Sequence, residues 1–384
     1  MHTVTATGSE LQATLATLPG ASGAQAAALD DLLAKLGRPQ RIYQLLSSRL
    51  TVRQVLWCLA QLLADGRVGQ VPGPDAPRFV WQGVPDTPVP GHGLHLVSDD
   101  CLQLNPHFRE ILADLVSDKQ NRYSQSIETY ETLVRRYKIM QSLGDLNHEA
   151  LLLLGDDALF SLFLAVHGYR RQIVVADIDP QLLATIARVA AQQGFDNIEV
   201  VHYDVFEPLP PSLRGRFDCF AVNGFKDLGG LLMFVGRALQ ALKAPAAMAS
   251  GYLNFGSHEV PSAARVQEEA ELYQTLLRFG MYLDYCVPCP ETHVGPDFEE
   301  AFSASARRLA QVPPAMRLAA CEVELQGLYR AFEQLSWVQM ANFPDIQLSP
   351  LKMGRCRVVE RNDREISRFL RLGQLYAGGA VNAR

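Results

Sequence analysis

Three short apolar runs in this sequence end in carboxylates. The run over 149–155 leads into Gly155-Asp156-Asp157, the run over 171–179 into Asp177-Ile178-Asp179 before Pro180, and the run over 198–204 into Tyr203-Asp204. Gly155 permits a tight turn and a close approach of backbone to a ligand. Asp156 and Asp157 place negative charge where a sulfonium or an amine would sit, and the same pair beside a helix N-terminus would also suit the helix dipole. Asp177 can accept hydrogen bonds from both hydroxyls of a ribose. Asp179 can cap the helix that starts at Pro180. Asp204 can accept from an adenine amino group, or act only as a turn residue. The dinucleotide fingerprint G-x-G-x-x-G and the phosphate loop G-x-x-x-x-G-K-[ST] are both absent. The three acidic ends therefore describe an adenosine site without a phosphate cradle, as for S-adenosylmethionine or its decarboxylated form.

Such a site needs adjacent strand ends. The region 149–250 alternates strand-length apolar runs with helical patterns, which predicts a parallel sheet buried on both faces. The expected fold is α/β and Rossmann-like, of the S-adenosylmethionine-dependent methyltransferase type, over 149–290. Right-handed crossovers put the loops after the strands on one edge, where ligands bind. Before this region, 1–25 read as a flexible arm and 26–85 as three helices and a hairpin, a winged-helix-like domain. Its third helix, 51–66, holds Arg53 as its only basic residue, so docking or dimerisation suits it better than DNA binding. Residues 86–148 read as a linker and helical segment, and 291–384 as a mainly helical C-terminal extension.

The chain has 384 residues, a net charge of −6, 48% hydrophobic and 20% charged residues. That composition is globular and gives no general pull toward nucleic acid or anionic membrane. Seven cysteines, an odd number, and an opening segment without a basic-then-apolar leader point to a reducing cytoplasm and no disulfide framework. No run is long enough to cross a membrane. Cys286 and Cys289 form a C-x-x-C with only Glu291 and His293 near it, so no metal site is expected. A homodimer is expected on general grounds.

The motifs together resemble the branched-chain polyamine synthases, aminopropyltransferases of the methyltransferase-like superfamily that act on spermidine. The resemblance covers roughly 26–250. Gln125, Thr129, Glu131, Arg135 and Arg136 match the family's run before the sheet, Gly144-Asp145-Leu146 its approach to the first strand, and Gly155-Asp156-Asp157 its acidic loop. Three family carboxylates are replaced, by Ser124, by Ala158, and by Asn223 in Asn223-Gly224-Phe225-Lys226. The loss of negative charge and the gain of Lys226 suit an amino acid, or an amine that also carries a carboxylate, better than spermidine.

The resemblance implies transfer of an aminopropyl group from decarboxylated S-adenosylmethionine to such an acceptor. The expected machinery is Asp156, Asp157, Asn223, Glu131 and Gln125 for catalysis, and Gly155, Asp156, Asp177, Asp204 and Thr129 for the donor. Lys226, Phe225, Arg135 and His258 are expected around the acceptor. Two alternatives stay open: a methyl or 3-amino-3-carboxypropyl transferase using intact S-adenosylmethionine, and a winged-helix regulator whose α/β domain only senses a ligand.

Overall fold

The structure is a computed structural model; it describes residues 29, 32–33, 35–46, 50–73, 77–82, 108, 111, 128, 130–225, 227–244, 249–256, 263–288, 296–332, 340–346, 348 and 352–381. The chain forms two compact units, and neither is one continuous stretch of sequence. The first unit opens with α1 (Ile42–Leu46), α2 (Val52–Ala64) and the antiparallel hairpin β1 (Val68–Val71) and β2 (Arg78–Trp81). The second begins with α3 (Tyr130–Ser142) and continues through β3 (Ala150–Leu154), α4 (Phe160–Val166), β4 (Gln172–Asp177), α5 (Pro180–Gln193), β5 (Ile198–His202), β6 (Cys219–Val222), α6 (Leu228–Ala241), β7 (Ser250–Phe255), α7 (Ala263–Arg278) and β8 (Met281–Pro288). The chain then returns to the first unit for α8 (Pro296–Ala310) and α9 (Pro314–Ala331). It finishes in the second with β9 (Lys352–Val358) and α10 (Asp363–Val381).

The sheet of the second unit runs β5-β4-β3-β6-β7-β9-β8. Strands β3 to β7 pair in parallel, while β9 lies antiparallel between β7 and β8. The alternation of side chains across the strands divides the core in two. Ala150, Leu152 and Leu154 face one layer, with residues of α6, α7 and α10. Leu151 and Leu153 face the other, with residues of α3, α4 and α5. This double burial is why β3 is apolar at all five positions. Helix α5 begins as its sequence predicts: Pro180 occupies the first turn and the Asp179 side chain accepts from the Gln181 amide at 2.9 Å.

In the first unit Thr51 and Gln54 form a reciprocal capping box at the start of α2. Helix α2 is buried over nearly its whole length, Arg53 included, and shares one core with α1, α8 and α9. Arg53 pairs with Glu322 and, at 3.1 Å, with Asp345. Buried Arg41 pairs with fully buried Glu299 at 2.6 Å. The segment read as a C-terminal extension is thus divided. Two of its helices complete the first unit's core, and its strand β9 is inserted into the second unit's sheet. Among the described residues no helix is long and apolar enough to cross a membrane.

Candidate active site

The carboxyl ends of the parallel strands carry the expected acidic residues, each held by a different local device. Gly155 leaves β3 at φ +77, and a Cβ there would lie 2.2 Å from the Asn223 carbonyl oxygen. Only glycine serves at this crossing of two loops. Asp156 turns inward. It is 2% exposed, and its carboxyl accepts from the backbone amides of Phe160 at 2.7 Å and Ser161 at 3.1 Å at the start of α4. Burial pushes its pKa up to about 7 despite these hydrogen bonds. Leu159, which opens α4, takes a left-handed φ of 60 with its side chain buried. A branched residue in that region costs roughly 1–2 kcal/mol, so packing holds the loop in shape.

Asp177 ties the loops together. One oxygen accepts from the Asp156 amide at 3.2 Å and the other from the Asp179 amide at 2.8 Å, while burial raises its pKa to about 6. Asp204 accepts from the Phe206 amide at 2.9 Å within its turn. Phe225 is 42% exposed and rests against Phe206 and Phe234. His202, also weighed as a base, is exposed, with Nε2 3.0 Å from the Ile178 carbonyl oxygen.

Asp157 takes a different course from its neighbour. Its Oδ1 accepts from Asn223 Nδ2 at 2.7 Å. The same Nδ2 lies 3.3 Å from Glu128 Oε1, which in turn receives Arg136 Nη2 at 2.6 Å. Glu128 and Arg136 are both buried. Asp157, Asn223, Glu128 and Arg136 therefore form one chain of alternating acceptors and donors.

This chain borders a small cleft between α3 and the sheet. Arg136 and Met140 of α3 form one wall. On the sheet side, Leu153, Ala221 and Tyr252 lie in one register layer, and Gly155, Asn223, Asn254 and Met353 line the cleft two residues nearer the carboxyl edge. Below the floor, the Tyr252 hydroxyl donates to Asp145, which is 3% exposed. Asp145 also accepts from Ser250 at 2.7 Å, lies 3.2 Å from His148 Nε2 and pairs with Arg355 at 3.0 Å. Burial alone would raise its pKa. Hydrogen bonds from His148, Ser250 and Tyr252, with the Arg357 charge, outweigh that and hold it below the usual carboxylate range.

Of the residues expected at the site, the fold brings Gly155, Asp156, Asp157, Asp177 and Asn223 together. The cleft is lined by Arg136 and not by its neighbour Arg135. Gln125, Thr129, Lys226 and His258 lie outside the described residues, and Glu131 is described only as part of the α3 backbone. Glu128, Arg136, Tyr252, Asn254 and Met353 were not expected at the site. Among the described residues no cluster of three or more His, Cys, Asp or Glu could hold a metal ion.

Residues 103–306 match the family model of the branched-chain polyamine synthase A C-terminal domain. The chain belongs to this family. It is 34% identical over 186 residues to the N(4)-bis(aminopropyl)spermidine synthase of Thermococcus kodakarensis, an overlap of 48% of this chain and 51% of that protein. With the enzyme of the same name from Methanocaldococcus jannaschii it shares 36% identity over 154 residues, 40% and 43% of the two chains. The chain thus spans about half the length of the curated relatives it matches. Among solved structures, the branched-chain polyamine synthase from Thermus thermophilus, in complex with N4-aminopropylspermidine and 5'-methylthioadenosine, aligns with a TM-score of 0.51 and 19% identity over 92% of this chain and 93% of that one. This second likeness is one of fold, and it agrees with the Rossmann-like, methyltransferase-type sheet order.

Proposed function

We propose that this member of the family is an aminopropyltransferase that uses decarboxylated S-adenosylmethionine and an amine or amino-acid-like acceptor. The observation that carries the reading is the sequence of acidic strand ends across one sheet edge, with the cleft beside them. Asp177 and Asp204 follow adjacent strands β4 and β5, and Gly155 follows β3. Over these strands they suit an adenosine, with Gly155 giving the backbone its closest approach. The cleft over β3, β6 and β7 then receives the acceptor. Co-substrate use also accords with the synthase matches.

In the reaction, the acceptor nitrogen's lone pair forms a bond to the methylene carbon beside the sulfonium. The carbon–sulfur bond breaks with its electrons going to sulfur, which leaves a neutral thioether, and the nitrogen gives up one proton. Asp157 is our candidate to orient the amine and take that proton, with Asn223 fixing its carboxylate. Asp156 and Asp177 shape the loops around the donor. Gln125, Thr129, Glu131, Lys226, Phe225, Arg135 and His258 remain proposed pocket residues on the grounds of the motif match and loop position. The first unit is read as a winged-helix-like docking module, supported by the hairpin and by the enclosure of α2 within its own core. A cytoplasmic homodimer acting on small molecules, without nucleic acid or membrane, completes the proposal.

One observation favours a second reading. A buried guanidinium, Arg136, lines the cleft and suits a carboxylate, as on intact S-adenosylmethionine in a methyl or 3-amino-3-carboxypropyl transferase. Parallel calorimetric titration with decarboxylated and intact S-adenosylmethionine separates the two. Preference for the decarboxylated compound is expected; preference for the intact one transfers the conclusion to the second reading, and binding of neither removes the adenosine site.

A further inference from the structure

We infer that Asn254 is the residue that receives the attacking nitrogen of the acceptor through a neutral amide, and so sets which amines are used. Four observations lead there. Asn254 is 4% exposed and lines the cleft. Its side-chain amide makes no hydrogen bond among the described residues and is not among the fully enclosed polar atoms, so it opens onto the cleft, where a ligand can reach it. It stands next to the site in register: Leu154 pairs with Val222 and Val222 with Leu253, so Gly155, Asn223 and Asn254 each sit one step beyond on neighbouring strands. Finally, the other polar groups at this edge are already engaged. Asn223 donates to Asp157 and Glu128, and Arg136 donates to Glu128.

The strand order says which ligand the amide meets. The acidic ends suited to an adenosine follow β3, β4 and β5, whereas Asn254 lies on β7, on the other side of β3 and β6. Period-two alternation puts Asn254 on the same face as Tyr252, and Met353 is its partner across the β7–β9 ladder. An amide oxygen beside an aromatic ring and a thioether suits an aliphatic amine carrying a polymethylene arm. With Asp157 already supplying the one carboxylate that takes the proton, the chemistry favours an amide over a second carboxylate at this point. A carboxylate would stabilise the protonated ammonium, which has no lone pair to attack with. An amide oxygen can accept an N–H from the neutral amine without that penalty. The inference rests on the aminopropyl-transfer reading and specifies its acceptor side.

The test uses the full chain and two variants, Asn254→Ala and the near-isosteric Asn254→Asp, each checked by thermal melting. Decarboxylated S-adenosylmethionine and a set of aliphatic di- and triamines are titrated separately by calorimetry, and transfer is then followed against pH. For Asn254→Ala, amine affinity is expected to fall about tenfold or more while donor affinity stays within twofold. For Asn254→Asp, the rise of kcat/KM with pH is expected to move to higher pH, because the new carboxylate holds the amine protonated. Equal amine affinity in wild type and Asn254→Ala overturns the inference and leaves the transfer reading intact, as does loss of donor affinity alone. Failure of wild type to bind any amine while it binds donor also overturns it. Amine binding that depends on Asn254 without any donor binding sinks the transfer reading and overturns the attacking-nitrogen assignment with it, leaving Asn254 as an amine-binding residue only.

Discussion

Asp156 and Asp157 leave β3 side by side, yet their surroundings sort them into different tasks. The Asp156 carboxyl is buried against two backbone amides at the start of α4, and Asp157 faces the Asn223 amide. Asp157→Asn is therefore expected to lower kcat about 10²–10⁴-fold with little change in donor affinity, as measured by steady-state kinetics and calorimetry. Asp156 should register in stability instead. Its folded pKa of about 7 lies above the ordinary 3.8, so between these values the folded chain keeps a proton that the unfolded chain has released. Stability from this group then falls as pH rises through that window. Melting curves between pH 5 and 8 should show a flatter decline for Asp156→Asn than for wild type; an unchanged slope would assign the decline to other groups, Asp177 first among them. The acidic ends were legible because each closes a strand-length apolar run. Arg136 was visible only as part of a motif match, not as a cleft residue, and Asn254 not at all. One is a helix residue and the other a strand residue 118 positions later, and only the packing of α3 on the sheet brings both to one cleft.

At the scale of elements, the cleft depends on a floor that its own residues do not supply. Tyr252 is held from beneath by Asp145, which precedes β3, and Asp145 is paired with Arg355 of β9. Three separate stretches of chain thus meet at one carboxylate. Removing it leaves a buried guanidinium short of its partner, and the loss of one member of a buried pair costs about 3–5 kcal/mol. Asp145→Ala is expected to lower stability by that order in denaturant titration, with Asp145→Asn milder because an amide can keep some of the hydrogen bonds. A loss within 1 kcal/mol would show the network to be dispensable. The run Gly144-Asp145-Leu146 was noticeable as a motif, but its purpose was not. Its partners Ser250, Tyr252 and Arg355 follow more than a hundred residues later, and nothing local marks them as its neighbours.

At the scale of the whole molecule, local pattern identified the elements better than their destinations. The apolar runs of 149–255 fold as the strands they resemble, because consecutive β and α segments pack on their sequence neighbours. The later segments obey longer-range rules. Helices α8 and α9 find their apolar partners in α2, more than two hundred residues earlier, and β9 enters beside β7 rather than at an edge. That routing has a consequence for the order of events on the ribosome. Neither unit has all its pieces when the chain first passes through it. The first unit's core waits for residues beyond 296, and the sheet of the second, although its parallel strands are complete by 255, waits for β9. Until residue 358 has emerged, β7 presents an unpaired edge to the cell. The nascent chain is therefore most open to mispairing and chaperone capture late in synthesis, when most of the protein has already been made.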